Sequence, residues 1–171
     1  VEALCAEARE VGMVVAANYN SPGPVVIGGS REGLETAGEL AKERGAKRAV
    51  ELPVSAPFHC ALMQPAADEM QAALAETNIA APAVPVIANV RAAPVIEPEE
   101  IRQLLVEQIT ARVRWRESMI WLADNDAGNL VELGSGKVLA TMARRIDPRL
   151  TATALSTPDD IRAYLEENQG D

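Results

Sequence analysis

The single histidine of this 171-residue chain, His59, lies in the run Pro53-Val54-Ser55-Ala56-Pro57-Phe58-His59-Cys60-Ala61-Leu62-Met63. A lone imidazole cannot share a metal with other histidines or pass protons to them, so its chemistry is that of one general base or general acid. Residues before it alternate as in a strand, Pro57 disfavours helix at Ala56, and the residues after it have helical character. The imidazole is therefore expected at a strand-to-helix turn, a place where catalytic groups concentrate. The alternative is a partly buried histidine with an ordinary hydrogen bond. Cys60 is adjacent but is not read as a nucleophile, because neighbouring residues on a strand or helix point in different directions.

The formal net charge of −9 argues against nucleic acid, whose affinity depends on lysine and arginine neutralising phosphates, and against an anionic membrane. No stretch is apolar and long enough to span a bilayer. Cys5 and Cys60 fit no metal spacing and read as reduced thiols, and a cytoplasmic protein is expected. No metal ligand set is expected. The chain begins at Val1 without an initiator methionine, and a fragment is expected. Lys42, Arg44, Lys47 and Arg48 form the main basic cluster of the first half. A helix end explains such a cluster, since cations suit helix C-termini. A docking patch for an acidic partner is the sharper alternative.

The elements that must position His59 follow from periodicity. Val1 to Val11 reads as a helix, Met13 to Tyr19 as a strand, Ser21 to Pro24 as a turn, and Val25 to Ile27 as a second strand, so these strands should form a hairpin. Ser30 is a candidate N-cap for a helix through Arg44 that Gly45 ends, and Lys47 to Pro53 reads as a strand. Helix, strand, strand, helix, strand is a ferredoxin-like unit without its first strand. After His59 the pattern gives a helix to about Glu76, a strand within Val84 to Val90, and helices from Pro98 to about Ile109 and from Trp115 to Ala123. A short buried strand at Asn129 to Leu133, a helix from Gly136 to Arg145, a strand at Thr151 to Leu155 and a helix at Pro158 to Glu167 opened by Thr157 complete the chain. Such alternation implies a parallel sheet. Trp115 and Trp121 read as core anchors.

Four motifs in fixed order resemble those of the malonyl-CoA:acyl carrier protein transacylases and the related acyltransferase domains of polyketide synthases. They are Asn18-Tyr19-Asn20-Ser21-Pro22-Gly23, the Pro57-Phe58-His59-Cys60 core, Val84-Pro85-Val86-Ile87-Ala88-Asn89-Val90, and Gln108 followed by Leu133-Gly134-Ser135-Gly136-Lys137-Val138-Leu139. The resemblance covers nearly the whole chain. It implies an α/β fold: the C-terminal part of a hydrolase-like, parallel-sheet acyltransferase domain, into which the ferredoxin-like small subdomain is inserted. The implied boundaries are 1–54 for the small subdomain and 55–171 for the large one.

The implied reaction is malonyl transfer from malonyl-CoA to the thiol of acyl carrier protein through a malonyl-serine intermediate, in fatty acid synthesis. It needs no cofactor, malonyl-CoA being the substrate. An acyltransferase domain of a polyketide synthase and a noncatalytic binding module with the same fold are the alternatives. By the resemblance, His59 is the base, and the backbone carbonyl of Gln108 holds the proton on its other ring nitrogen. Asn20 and Asn89 are substrate-site candidates. Phe58 would disfavour a branched acyl group, and Lys47 and Arg48 would dock the carrier protein. No Gly-x-Ser-x-Gly elbow is present: Gly28-Gly29-Ser30-Arg31-Glu32 ends in glutamate and Gly134-Ser135-Gly136 lacks the outer spacing. By the resemblance the catalytic serine is expected upstream, and this chain alone is expected to be inactive. Gly134-Ser135-Gly136-Lys137 is not a phosphate loop, since Val131 and Val138 stand where that motif needs glycine and a hydroxyl residue.

Overall fold

The computed structural model describes residues 1–20 and 22–168, whose contacts group into two units, Val1–Ser118 and Met119–Asp171. The expected boundary at 54/55 falls within the first unit.

The first unit opens with helix α1 (Glu2–Ala8), strand β1 (Val14–Asn18), strand β2 (Val26–Gly29) and helix α2 (Arg31–Glu43). Helix α1 stops at Ala8 instead of continuing to Val11. The chain must turn at Gly12, where a Cβ would lie 2.5 Å from the Ser30 hydroxyl and 2.8 Å from the Gly33 nitrogen. β1 and β2 form the expected antiparallel hairpin, with an irregularity between Ala16 and Asn18; Ser21, in its connecting turn, lies outside the described residues. Ser30 caps α2 by accepting from the Gly33 N–H at 3.3 Å, and Gly45, with φ +77°, ends it. Cys5, Ala8, Val14 and Ala37 form the core here, with Leu4, Ile27, Leu34 and Leu40 packed around them. The small side chains at the centre let both helices approach the hairpin closely.

The strand expected at Lys47 to Pro53 does not form. Residues 46–54 are irregular and exposed, although Val50, Leu52 and Val54 alternate as a strand would. Alternation supplies a face, but a strand also needs a neighbour for its backbone groups, and none of the described strands pairs with this segment. The expected ferredoxin-like order thus lacks its last strand as well as its first in this structure.

A single 3₁₀ turn (Ala61–Met63) leads into helix α3 (Gln64–Ala75). Strand β3 (Val86–Ala88) pairs antiparallel with β4 (Ala93–Val95), a strand the sequence pattern did not reveal, and helix α4 (Pro98–Thr110) follows. Ala88, Val95 and Leu104 form a second cluster, with Val90 and Ile101 against it. Helix α5 (Trp115–Asp124) comes next. Both tryptophans on it are partly buried, and the Trp115 indole N–H is buried without a hydrogen-bond partner among the described residues.

In the second unit β5 (Asn129–Leu133) and β6 (Thr151–Leu155) pair in parallel over five residue pairs, joined through helix α6 (Val138–Ile146) and followed by α7 (Pro158–Glu167). β5 is not the buried strand expected: Leu133 is 70% exposed, and Asn129 and Val131 also face solvent. With one neighbour strand among the described residues, its outward side chains have nothing to pack on. α6 begins two residues late, because Gly134 (φ +129°) and Gly136 (φ +93°) hold the preceding loop out of helical geometry. The Glu132 carboxylate accepts from the N–H groups of Leu139 (3.2 Å) and Ala140 (2.8 Å), filling the anion-attracting start of that helix. Among the described residues, parallel pairing is confined to β5–β6 and an Asn18–Val113 bridge; the two hairpins are antiparallel. The architecture is mixed α/β.

Candidate active site

His59 stands at a loop-to-helix junction, since the residues before it are irregular where a strand was expected. Its backbone has φ +60°, a left-handed conformation that is unfavourable for a residue with a side chain. The turn around it is bonded across itself. The Phe58 N–H donates to the Ala56 carbonyl at 2.9 Å, and the fully buried Cys60 thiol donates to the Pro57 carbonyl at 3.1 Å. Cys60 is thus spent on the turn. β2 passes against the same loop, and a Cβ on Gly28 would come within 3.0 Å of the Phe58 carbonyl oxygen.

The imidazole Nδ1 lies 3.1 Å from the Gln108 carbonyl and 3.2 Å from the Ala111 carbonyl. Gln108 belongs to the last turn of α4 and Ala111 is its C-cap residue, so both oxygens are among those a helix leaves without internal partners. A carbonyl can only accept. The geometry therefore assigns the ring proton to Nδ1 and leaves the Nε2 lone pair unprotonated in the neutral ring. The helix end also presents partial negative charge to any positive charge that develops on the imidazole. Gln108 was expected from the resemblance; Ala111 was not, since a backbone carbonyl has no signature in residue type.

His59 lines an open depression of about 630 Å³ together with Cys5, Met13, Cys60, Thr110 and Arg112. Burial raises the Cys5 thiol above its ordinary range. Phe58 is 47% exposed and does not belong to the core. Asn20 sits two residues beyond β1, partly buried. Its neighbour Asn18 has a buried side-chain oxygen without a partner among the described residues. Tyr19 lies between them, and its place in the motif gives no sign of its contacts. Its hydroxyl donates to Glu2 at 3.1 Å, and the guanidinium carbons of Arg112 and Arg116 lie 4.7 and 5.6 Å from its ring centre. Burial, and then the bond to Glu2, raise the phenol above its usual range.

Asn89 follows β3. Its amide donates to the Arg112 carbonyl at 3.2 Å and accepts from the Arg114 N–H at 3.0 Å. Arg114 also pairs with Glu117, and that bond holds the Glu117 carboxyl below the ordinary glutamate range. Lys47 and Arg48 are exposed on the irregular segment, whereas Arg44 of the same basic cluster is ion-paired with Glu7. Among the described residues no group of three or more His, Cys, Asp or Glu is arranged to hold a metal ion, and no helix is long and apolar enough to cross a membrane.

No family model matches the chain. It is 46% identical over 162 residues to the malonyl CoA-acyl carrier protein transacylase of Escherichia coli K12, covering 95% of this chain and 52% of that protein. The Bacillus subtilis transacylase is 41% identical over 158 residues, covering 92% and 50%. Among solved structures, the acyl-carrier-protein S-malonyltransferase of Bartonella henselae superposes with a TM-score of 0.91 at 50% identity, covering 97% of this chain and 53% of that one. A malonyl-transacylase solved in complex with its type II polyketide acyl carrier protein gives 0.90 at 40% identity, covering 98% and 54%. The chain spans about half the length of the curated relatives it matches. On its motifs, its fold and these likenesses, the chain is homologous to the malonyl CoA-acyl carrier protein transacylases, about half of whose length it matches.

Proposed function

We propose that the protein carrying this segment transfers a malonyl group from malonyl-CoA to the thiol of acyl carrier protein, with His59 as the general base, and does so in fatty acid synthesis in the cytoplasm. The observation that carries the reading is the pair of carbonyls on His59 Nδ1, which keeps Nε2 available as a proton acceptor. The nucleophile is a serine outside these 171 residues, in keeping with the missing Gly-x-Ser-x-Gly elbow.

In the first half-reaction Nε2 takes the serine proton as the oxygen attacks the thioester carbonyl. The tetrahedral intermediate then collapses by breaking the carbon–sulfur bond, and the imidazolium returns its proton to the departing coenzyme A thiolate. The second half runs in reverse: the carrier thiol gives its proton to Nε2, attacks the malonyl-serine ester, and the serine oxygen is reprotonated. Backbone carbonyls stabilise an imidazolium less than an aspartate would, which suffices because a thiolate leaves more readily than an amine. No cofactor enters either half. Asn20 and Phe58 are assigned to the substrate site, and Lys47 and Arg48 to the carrier protein. Residues 1–54 are assigned to a small ferredoxin-like subdomain and 55–171 to the large domain.

Kinetics on the full-length protein test this. His59→Ala is expected to lower the transfer rate by roughly 10²- to 10⁴-fold. Gln108→Ala, which keeps the carbonyl, is expected to do far less. Equal losses in the two variants would refute the carbonyl's role, and an unimpaired His59→Ala would refute the base.

A further inference from the structure

Both polar ends of the Asn89 amide are engaged with backbone, and the backbone they engage is the strap that reaches His59. Residues 111–114 run from the end of α4 to the start of α5. Their first carbonyl, that of Ala111, is one of the two acceptors on His59 Nδ1. One edge of the strap is tied to β1, where the Val113 N–H donates to the Ala17 carbonyl at 2.8 Å and the Tyr19 N–H donates to the Val113 carbonyl at 3.0 Å. The other edge is tied by Asn89, through the Arg112 carbonyl and the Arg114 N–H. The Arg114 guanidinium, steadied by Glu117, adds a third tie to the Val90 carbonyl at 3.1 Å.

We propose that Asn89 is a positioning residue for His59: it fixes the 111–114 strap from the side opposite β1, and so holds the Ala111 carbonyl against Nδ1. This inference rests on His59 being the base. An amide suits the position chemically, because one group must donate to a carbonyl and accept from an N–H at neighbouring peptides; a carboxylate cannot donate, and an aliphatic side chain does neither. Without the tie, the Ala111 carbonyl is released from one side. The ring then loses part of the restraint that keeps its proton on Nδ1, and Nε2 is less often the free base.

The test uses the full-length protein with malonyl-CoA and carrier protein. Asn89→Ala is expected to lower kcat about 10- to 100-fold, the scale of a small misplacement of a catalytic group, while KM for malonyl-CoA stays within about twofold. The ¹⁵N signals of the His59 ring should show the Nε2–H tautomer gaining population. Where Asn89→Ala fails to fold, Asn89→Asp keeps the acceptor for the Arg114 N–H, loses the donor to Arg112, and takes the same readouts. A rise in KM with kcat unchanged would make Asn89 a substrate contact and overturn the proposal. A lower melting temperature with kcat and tautomer unchanged would make it a structural tie only, which also overturns it. His59→Ala runs alongside: if it retains full kcat, the base assignment has failed, whereas if it is inactive and the Asn89 variants are not, only the present inference has failed.

Discussion

The left-handed backbone at His59 costs about 1–2 kcal/mol, and three bonds hold the residue in it: the Cys60 thiol to Pro57, and the two carbonyls on Nδ1. Fixing the histidine in this way leaves its neighbour Phe58 half exposed beside it. A large ring outside the core and next in sequence to the proposed base would, if it borders the acyl group, crowd a methyl branch at the α-carbon. One methyl is worth about 1–3 kcal/mol of discrimination. In the full-length protein, Phe58→Ser is therefore expected to narrow the malonyl-over-methylmalonyl ratio of kcat/KM, by as much as about 10- to 200-fold. An unchanged ratio would remove Phe58 from substrate choice. At this scale the sequence was legible where residue type carries the chemistry, as in a single imidazole within Pro57-Phe58-His59-Cys60. It was illegible where the backbone carries it: the Ala111 carbonyl has no side-chain signature, and Asn89 meets its partners 23 and 25 residues away.

Among the elements, those with strong local signals formed where the pattern placed them. Pro98 at the first turn starts α4, and Thr157 with Asp160 starts α7 through a reciprocal capping box. Elements that depend on a distant neighbour did not follow from pattern alone. β4 is only three residues long, and 46–54 has the alternation of a strand without a partner. That exposed stretch precedes the His59 turn, so it is the place where the proposed small subdomain would hinge on the large one. Limited proteolysis of the full-length protein is expected to cut first within 46–58; first cuts elsewhere would argue against the boundary. The α7 cap gives a pH dependence whose sign is fixed. Bonds from the Thr157 backbone, the Thr157 side chain and the Ser156 backbone lower the Asp160 carboxyl below the usual aspartate range. A carboxyl lowered in the folded state stabilises fully above its unfolded value of about 3.9 and loses that contribution as pH falls through the lowered folded value. Hydrogen exchange in α7 should accelerate as pH falls from about 5 towards 2, after correction for intrinsic rates, and less so in Asp160→Asn. Equal acceleration in both would show that the box does not hold the helix start.

At the scale of the whole molecule, the resemblance carried by four motifs in order was legible along nearly the entire chain, while the exposed face of β5 was not, because whether a strand is covered depends on residues far from it in sequence. Charge acts at this scale as well. A net charge of −9 repels an acidic partner on average, so the proposed binding of an acidic carrier protein would require a local reversal of sign. Lys47 and Arg48 offer one. Arg44, from the same cluster, is already paired with Glu7, whereas these two project from an exposed segment that leads towards His59. Rim charges of this kind act mainly on encounter and are screened over roughly 10 Å at 0.1 M salt. Replacing both Lys47 and Arg48 by alanine in the full-length protein is therefore expected to raise KM for carrier protein several-fold at low ionic strength, with the difference shrinking as salt is added. KM for malonyl-CoA should change less, because the steered partner is the protein. An unchanged carrier KM at low salt, in a variant that remains folded, would reduce the cluster to charge near the end of α2. A loss that persists at high salt would point to a direct contact rather than steering.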